Sequence, residues 1–268
     1  MREIAYAKIN LALHVRRRRD DGYHELETLF AFVDRGDELT ARTAPQDSLT
    51  VTGEFAGALG DPFGNIAALA LGKLPRADGL AVTLDKRLPV AAGLGGGSAD
   101  AGAVFRMVRE RYGLPGDWRA RAASLGADVP ACVESVACIG RGTGTDLAPV
   151  ENDLAGTPVL LVNPRNPLST AAVFAAWDGN DRGELPDGPA SGIVQAGRND
   201  LEAAAIAQCP QVADVLAGLC ETDAFASRMS GSGATCFALY ESEDALAEAA
   251  DRLTRTNPGW WQMHGRLR

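Results

Sequence analysis

The stretch Pro89-Val90-Ala91-Ala92-Gly93-Leu94-Gly95-Gly96-Gly97-Ser98-Ala99-Asp100 places four glycines in the five residues 93–97. It then runs straight into an amphipathic pattern. Ala101, Val104, Phe105, Val108 and Tyr112 recur at helical spacing, with Arg106, Arg109 and Glu110 on the other face. Upstream, Leu80, Val82 and Leu84 alternate as a strand does. The order is strand, glycine loop, helix. Glycine admits positive φ and lets the backbone come close to a ligand. A helix N-terminus adds unpaired N–H groups and a partial positive charge. This combination predicts an anion site, most often for phosphate, with Ser98 as the N-cap hydroxyl. The alternative is a tight strand-to-helix turn with no ligand. Counted from Gly93, both G-x-x-x-x-G-K-[ST] and G-x-G-x-x-G need glycine at 98, and Ser98 stands there. The loop is neither of the two common phosphate loops.

Working outward, residues 5–15 alternate. Ala5, Ala7, Ile9, Leu11, Leu13 and Val15 share one parity, and Lys8, Asn10 and His14 the other. The turn Arg16-Arg17-Arg18-Arg19-Asp20-Asp21-Gly22 predicts that residues 23–33 return antiparallel. The four arginines read as a solvated hairpin end. Residues 45–63 are rich in Gly, Pro and Asp, with a β-like piece at Leu49-Thr50-Val51-Thr52. Helices are predicted over 64–74, 117–124, 200–208, 210–220 and 243–254, and strands over 131–139, 159–162 and 234–240. Residues 178–192 read as an exposed loop. The stretch Trp260-Trp261-Gln262-Met263-His264 reads as a satellite hydrophobic cluster, with a contact surface as the alternative. Mixed strands and helices with antiparallel pairing predict an α+β fold rather than a doubly wound one. The polar stretch 152–158 predicts a junction between domains 1–152 and 153–268.

The 268 residues are 46% hydrophobic, enough for a sizeable core. Lys+Arg is 26 and Asp+Glu is 35, a net charge of −9. Such a chain has no overall field for a nucleic acid backbone or an anionic membrane. Phosphate, if handled, must be held by local backbone and local charge. No run reaches the roughly 18 apolar residues of a membrane span, and the N-terminus lacks a secretory apolar region. Five scattered cysteines predict reduced thiols in a cytoplasmic protein. The three histidines show no metal-ligand spacing, so no protein metal site is expected.

Three further places bear on the loop. Lys8 lies on the polar parity of the first strand, where a buried ammonium would need a charge partner; the alternative is an ordinary exposed lysine. Asp128, in Leu125-Gly126-Ala127-Asp128-Val129-Pro130, could equally be a helix cap or turn residue. Ser230-Gly231-Ser232-Gly233-Ala234 is a second glycine turn before a strand. In this order the pieces resemble the GHMP kinase superfamily. Ala7-Lys8-Ile9-Asn10-Leu11, Asp21-Gly22-Tyr23-His24-Glu25-Leu26, Asp85-Lys86-Arg87-Leu88-Pro89 and Arg198-Asn199-Asp200-Leu201-Glu202 extend the resemblance over nearly the whole chain. Within it the sequence is most similar to the branch that phosphorylates a cytidyl diphosphate ester of methylerythritol.

The resemblance implies a two-lobed α+β fold with the active site in the cleft between lobes, and an ATP-dependent small-molecule kinase. Residues 89–99 would wrap the ATP phosphates, with Mg²⁺ bridging phosphate oxygens, and Asn65 would sit on the nucleotide side. Lys8 and Asp128 map to the catalytic pair. Asn10 would hold the substrate near the transferred phosphate, Tyr23 and His24 would recognise its cytosine, and Thr170 and Phe174 would close its pocket. Relatives often carry G-G-G-S-S-D-A-A, whereas Ala99 and Gly102 replace the second Ser and the second Ala here. Alternatives are a GHMP kinase of homoserine or mevalonate type, or an inactive nucleotide-binding regulator.

Overall fold

The computed structural model describes residues 1–59 and 64–268. Residues 60–63, the end of the Gly-, Pro- and Asp-rich stretch, lie outside the described residues. The chain divides into two compact units. The first comprises Met1–Lys8, Asp34–Val90 and Gly95–Val136, and the second Ile9–Val33, Ala91–Leu94 and Ala137–Arg268. Two long strands, β1 (Arg2–Arg18) and β2 (His24–Ala44), contribute to both.

In the first unit the second half of β2 pairs antiparallel with β4 (Gly79–Asp85), from Glu38 opposite Asp85 to Ala44 opposite Gly79. β3 (Ser48–Thr52) pairs parallel with β4. To this unit belong the α-helices α1 (Ile66–Lys73), α2 (Gly96–Tyr112), α3 (Trp118–Ala123) and α4 (Val129–Glu134). The apolar stripe read from the sequence makes α2 the core helix, with Val104, Phe105 and Val108 all at 0% exposure. Arg106 lies on the opposite face and is also buried. It donates to the carbonyls of Ile4 and Cys132 and to Ser135 Oγ, and pairs with Glu3, so β1, α2 and α4 are tied by one guanidinium.

In the second unit the start of β2 pairs antiparallel with β5 (Cys138–Gly142), which pairs antiparallel with β6 (Asp146–Pro149). A four-stranded antiparallel sheet follows in the order β10 (Trp261–Arg266), β7 (Pro158–Asn163), β9 (Cys236–Leu239), β8 (Ala226–Met229). β7 is buried along its whole length, as its continuous apolar run requires. Helices α5 (Thr170–Ala175), α6 (Ala190–Ala196), α7 (Glu202–Gln208), α8 (Gln211–Cys220) and α9 (Glu243–Thr256) belong to this unit. α9 is set by its ends. Ser242 accepts from the Ala245 N–H, Glu243 and Asp244 occupy the first turn, and Arg255 the last. The α+β expectation holds, with β3 and β4 parallel and the other ladders given above antiparallel.

Three expectations are corrected. Residues 131–139 are not one strand: α4 takes residues 129–134 and β5 begins at Cys138. Pro130 sits in the first turn of α4, where its missing N–H costs nothing, and an apolar run without a period does not distinguish strand from helix. β2 continues past Val33 to Ala44 because β4 offers it a ladder. Trp260 packs on the second unit's core, as expected of a satellite cluster, but Trp261 opens the edge strand β10.

Gly102 marks where α2 and α4 meet. A Cβ there would lie 2.5 Å from the Cys132 carbonyl oxygen. Gly102→Val is expected to force the helices apart at about 1–3 kcal/mol. Thermal unfolding would register this as a fall of roughly 2–4 °C per kcal/mol.

Candidate active site

The glycine loop is built from left-handed backbone. Ala91, Gly93 and Gly95 have φ of 53°, 76° and 59°. Alternating left-handed residues turn N–H groups toward one side and make anion-binding concavities. Gly95 is the N-cap of α2, so the helix begins at Gly96 and Ser98 lies inside its first turn. This corrects the assignment of Ser98 as the cap: a left-handed glycine stops the turn three residues earlier. The first turn of α2 holds no acidic side chain, which leaves its partial positive charge to an outside anion.

In the first unit this loop meets the pair singled out from sequence. Lys8 Nζ lies 2.9 Å from Asp128 Oδ2, with the lysine side chain 6% exposed and the aspartate 29%. Lys8 is therefore not an ordinary surface lysine. Asp128 occupies the N-cap position of α4, yet its side chain makes no capping bond and turns to Lys8 instead. A Cβ on Gly95 would stand 2.9 Å from Lys8 Cε and 3.7 Å from Asp128 Oδ2. The loop backbone thus rests directly on the ion pair. Asn65 caps α1, its Oδ1 accepting from the Ala67 N–H at 2.9 Å. The next residue, Ile66, packs at 3.3 Å against the position of a Cβ on Gly97.

In the second unit, Ser230-Gly231-Ser232-Gly233 links β8 to β9 and holds the other stretch of the loop. Ser230 Oγ donates to the Gly93 carbonyl at 2.8 Å and accepts from the Asn10 N–H at 3.1 Å. The Thr235 N–H donates to the Ala92 carbonyl at 3.1 Å. A Cβ on Gly93 would lie 2.2 Å from the Ser230 carbonyl oxygen, so only glycine fits there. Asn10 is buried, donates to Thr28 Oγ1 at 2.7 Å, and its Oδ1 stands 3.1 Å from the position of a Cβ on Gly231. Asn199 donates to the carbonyls of Met229 and Gly231, both at 2.8 Å. Neither Thr28 nor Asn199 was picked as a site residue, because their partners are far away in the chain.

The remaining residues singled out from sequence fall in the same unit. His24 is buried, its ring centroid 5.1 Å from Phe174 and 5.8 Å, edge-on, from Trp177. His24 Nε2 and Trp177 Nε1 are buried with no hydrogen-bond partner among the described residues. Trp177 was missed because nothing in its local sequence marks it. Tyr23 is 63% exposed in the turn before β2. Thr170 Oγ1 shares a hydrogen bond of 2.9 Å with Ser232 Oγ. The arginine run is paired. Arg16 bonds Asp181, Arg17 approaches Glu25, Arg19 bonds Asp21, and Arg18 donates to the Ala175 carbonyl at 3.1 Å. Among the described residues no group of three or more His, Cys, Asp or Glu is placed to hold a metal.

Two histidines are held neutral. Burial pushes His24 below its ordinary value, and the Arg18 charge adds to this. Burial does the same to His14, helped by Arg198. His14 Nε2 accepts from the Arg198 N–H at 3.2 Å while Nδ1 faces the carbonyls of Gly183 and Glu184. The unfolded chain takes up protons near pH 6.5, and the folded chain does so only at lower pH. Stability is therefore expected to fall as pH drops below about 6.5. Melting temperatures at pH 7.5 and 5.5 check this, and His14→Gln should shrink the difference.

Two family models match the chain: the GHMP kinases N terminal domain over residues 63–142 and the GHMP kinases C terminal over residues 187–259. A 4-diphosphocytidyl-2-C-methyl-D-erythritol kinase of Novosphingobium aromaticivorans is 68% identical over 270 residues, covering 100% of this chain and 93% of that protein. A protein of the same name from Erythrobacter litoralis is 60% identical over 269 residues, covering 99% and 98%. Among solved structures, a 4-(cytidine 5'-diphospho)-2C-methyl-D-erythritol kinase aligns with a TM-score of 0.83 at 33% identity, covering 100% of this chain and 99% of that one. A homoserine kinase from Cytophaga hutchinsonii shares the fold, with a TM-score of 0.72 at 18% identity over 100% of this chain and 94% of its own. Across the glycine loop, the Lys8–Asp128 pair and both matched regions, the chain belongs to the GHMP kinase family.

Proposed function

We propose that this GHMP kinase transfers the γ-phosphoryl group of ATP to the 2-hydroxyl of 4-diphosphocytidyl-2-C-methyl-D-erythritol, on the methylerythritol phosphate route to isoprenoid precursors. The observation that carries the reading is the Lys8–Asp128 ion pair under the left-handed backbone of Gly95. The names borne by relatives at 68% and 60% identity support the choice of acceptor. Domain 1–152 is assigned to ATP and domain 153–268 to closing over the acceptor. The two matched regions, 63–142 and 187–259, fall on either side of that boundary. The protein works in the cytoplasm, in keeping with five free cysteines.

Phosphoryl transfer asks for positioning and charge neutralisation more than for covalent chemistry. The residues present fit a triphosphate. The loop is left-handed at 91, 93 and 95, and opens onto a helix start without acidic side chains. Residues 89–99 wrap the phosphate chain, which is bound by N–H groups of the glycine loop, with Asn65 on the nucleotide side. Lys8 steadies the charge that develops as the bridging bond breaks. Asp128 keeps Lys8 aimed and takes the proton that the attacking hydroxyl loses. Mg²⁺ arriving with the nucleotide would supply further charge neutralisation at the phosphates that residues 89–99 hold. Asn10 orients the acceptor hydroxyl. Tyr23, His24, Thr170 and Phe174 bind the acceptor, and the neutral His24 ring offers its unpartnered Nε2 to the cytosine edge.

ADP release from ATP–Mg²⁺ is expected on adding 4-diphosphocytidyl-2-C-methyl-D-erythritol, and not on adding free methylerythritol. Release with homoserine or mevalonate alone would overturn the acceptor assignment. Nucleotide binding without turnover on any acceptor would mean an inactive regulator. Asp128→Asn should cut turnover by roughly 10²–10⁴-fold while calorimetry still detects ATP binding. Near-wild-type turnover in that variant would remove Asp128 from the chemistry.

A further inference from the structure

One cluster of charge lies beside the loop and has no part in the mechanism above. Asp37, Lys86 and Asp100 are exposed by 0%, 2% and 2%. Charges buried this deeply are tolerated only when paired and hydrogen-bonded. Lys86 Nζ donates to Asp37 Oδ2 and, at 2.8 Å, to Asp100 Oδ2. Asp37 Oδ1 accepts from the N–H groups of Arg87 and Leu88 at 2.6 and 2.8 Å. Asp37 lies in β2, Lys86 directly follows β4, and Asp100 lies in α2. The cluster sits under the loop itself: a Cβ on Gly96 would be 3.0 Å from Lys86 Nζ and 3.9 Å from Asp37 Oδ2.

These bonds grip the chain on both sides of residues 89–95. The lead-in, 86–88, is held by Asp37, and the helix that follows is held through Asp100. We propose that Asp37, Lys86 and Asp100 are positioning residues for the phosphate loop, a buried ammonium clamping its lead-in to the start of α2. The inference rests on the reading of residues 89–99 as the nucleotide site. Burial pushes the Asp100 carboxyl well above the usual carboxylate range, against the pull of Lys86, and the neighbouring Asp37 adds to the push. Burial that pushes this carboxyl toward its protonated form lessens the negative charge that the clamp puts beneath bound phosphates. An amide at 100 should then serve as well as the acid, whereas an apolar residue should not.

The test uses Lys86→Met, the double variant Lys86→Met/Asp37→Asn, Asp100→Leu and Asp100→Asn in the full chain. The double variant leaves no unpaired buried carboxylate at 37, so it covers the case in which Lys86→Met does not fold. KM for ATP is expected to rise about tenfold or more in Lys86→Met, the double variant and Asp100→Leu, with KM for the acceptor within about twofold. Asp100→Asn should return KM for ATP to near the wild-type value. Hydrogen exchange of residues 89–98 in the ligand-free protein should speed up about tenfold in the same three variants and not in Asp100→Asn. Folded variants with unchanged exchange, or with both KM values raised alike, would overturn the clamp. Faster exchange in a protein that does not bind ATP would uphold the clamp and overturn the nucleotide reading instead.

Discussion

A side chain has no room at one point of the loop and would displace a charged partner at the next. A Cβ on Gly93 would collide with the Ser230 carbonyl, and one on Gly95 with the Lys8 side chain. Both residues are left-handed, which favours glycine at each, and at Gly93 the space demands it as well. Much else in the molecule supports this close approach. Ser230 and Thr235 bond the loop at 92 and 93, Lys8 and Asp128 lie against it at 95, and Lys86 lies against it at 96. The glycine surplus in the composition therefore has a local meaning, since backbone N–H groups stand in for basic side chains.

The acidic composition and a phosphate site are reconciled by burial. The net charge of −9 is a surface average. Against the loop two cations are buried. Lys8 pairs with Asp128, and Lys86 with Asp37 and Asp100. A charge held in a dry, preorganised place acts more strongly on a ligand than several screened by water. Arg16, Arg17 and Arg19 are the opposite case, charges nearer the surface with acidic partners close by.

The motif Arg198-Asn199-Asp200-Leu201-Glu202 shows how a stretch quoted for resemblance acquires a physical role. The Arg198 carbonyl accepts from the Leu13 N–H, Asp200 Oδ2 accepts from the Val15 N–H, and Asn199 holds the carbonyls at 229 and 231. These bonds brace β1 and the serine–glycine turn. His14, on the polar parity of β1, braces the loop that ends where α6 begins at Ala190, through the carbonyls of Gly183 and Glu184.

What could be known from the sequence was local. Period-two alternation marked β1, helical spacing marked α2 and α9, and a run of glycines before a helix marked the anion loop, because each depends on neighbours within a few residues. The order of Lys8, the loop, Asp128 and the Ser230 turn was enough to indicate the family. Tertiary structure alone decided the rest. It turned 131–134 into a helix, extended β2 to residue 44 along β4, and made Trp261 the start of an edge strand. It also chose the role of Asp128, which could have capped α4 and instead pairs with a lysine 120 positions earlier. It buried Lys86 between two carboxylates from β2 and α2, and set Trp177 beside His24. The physical reason is the same throughout: burial and partner choice depend on which distant segments meet, and a linear pattern holds only the preferences of each segment before they do.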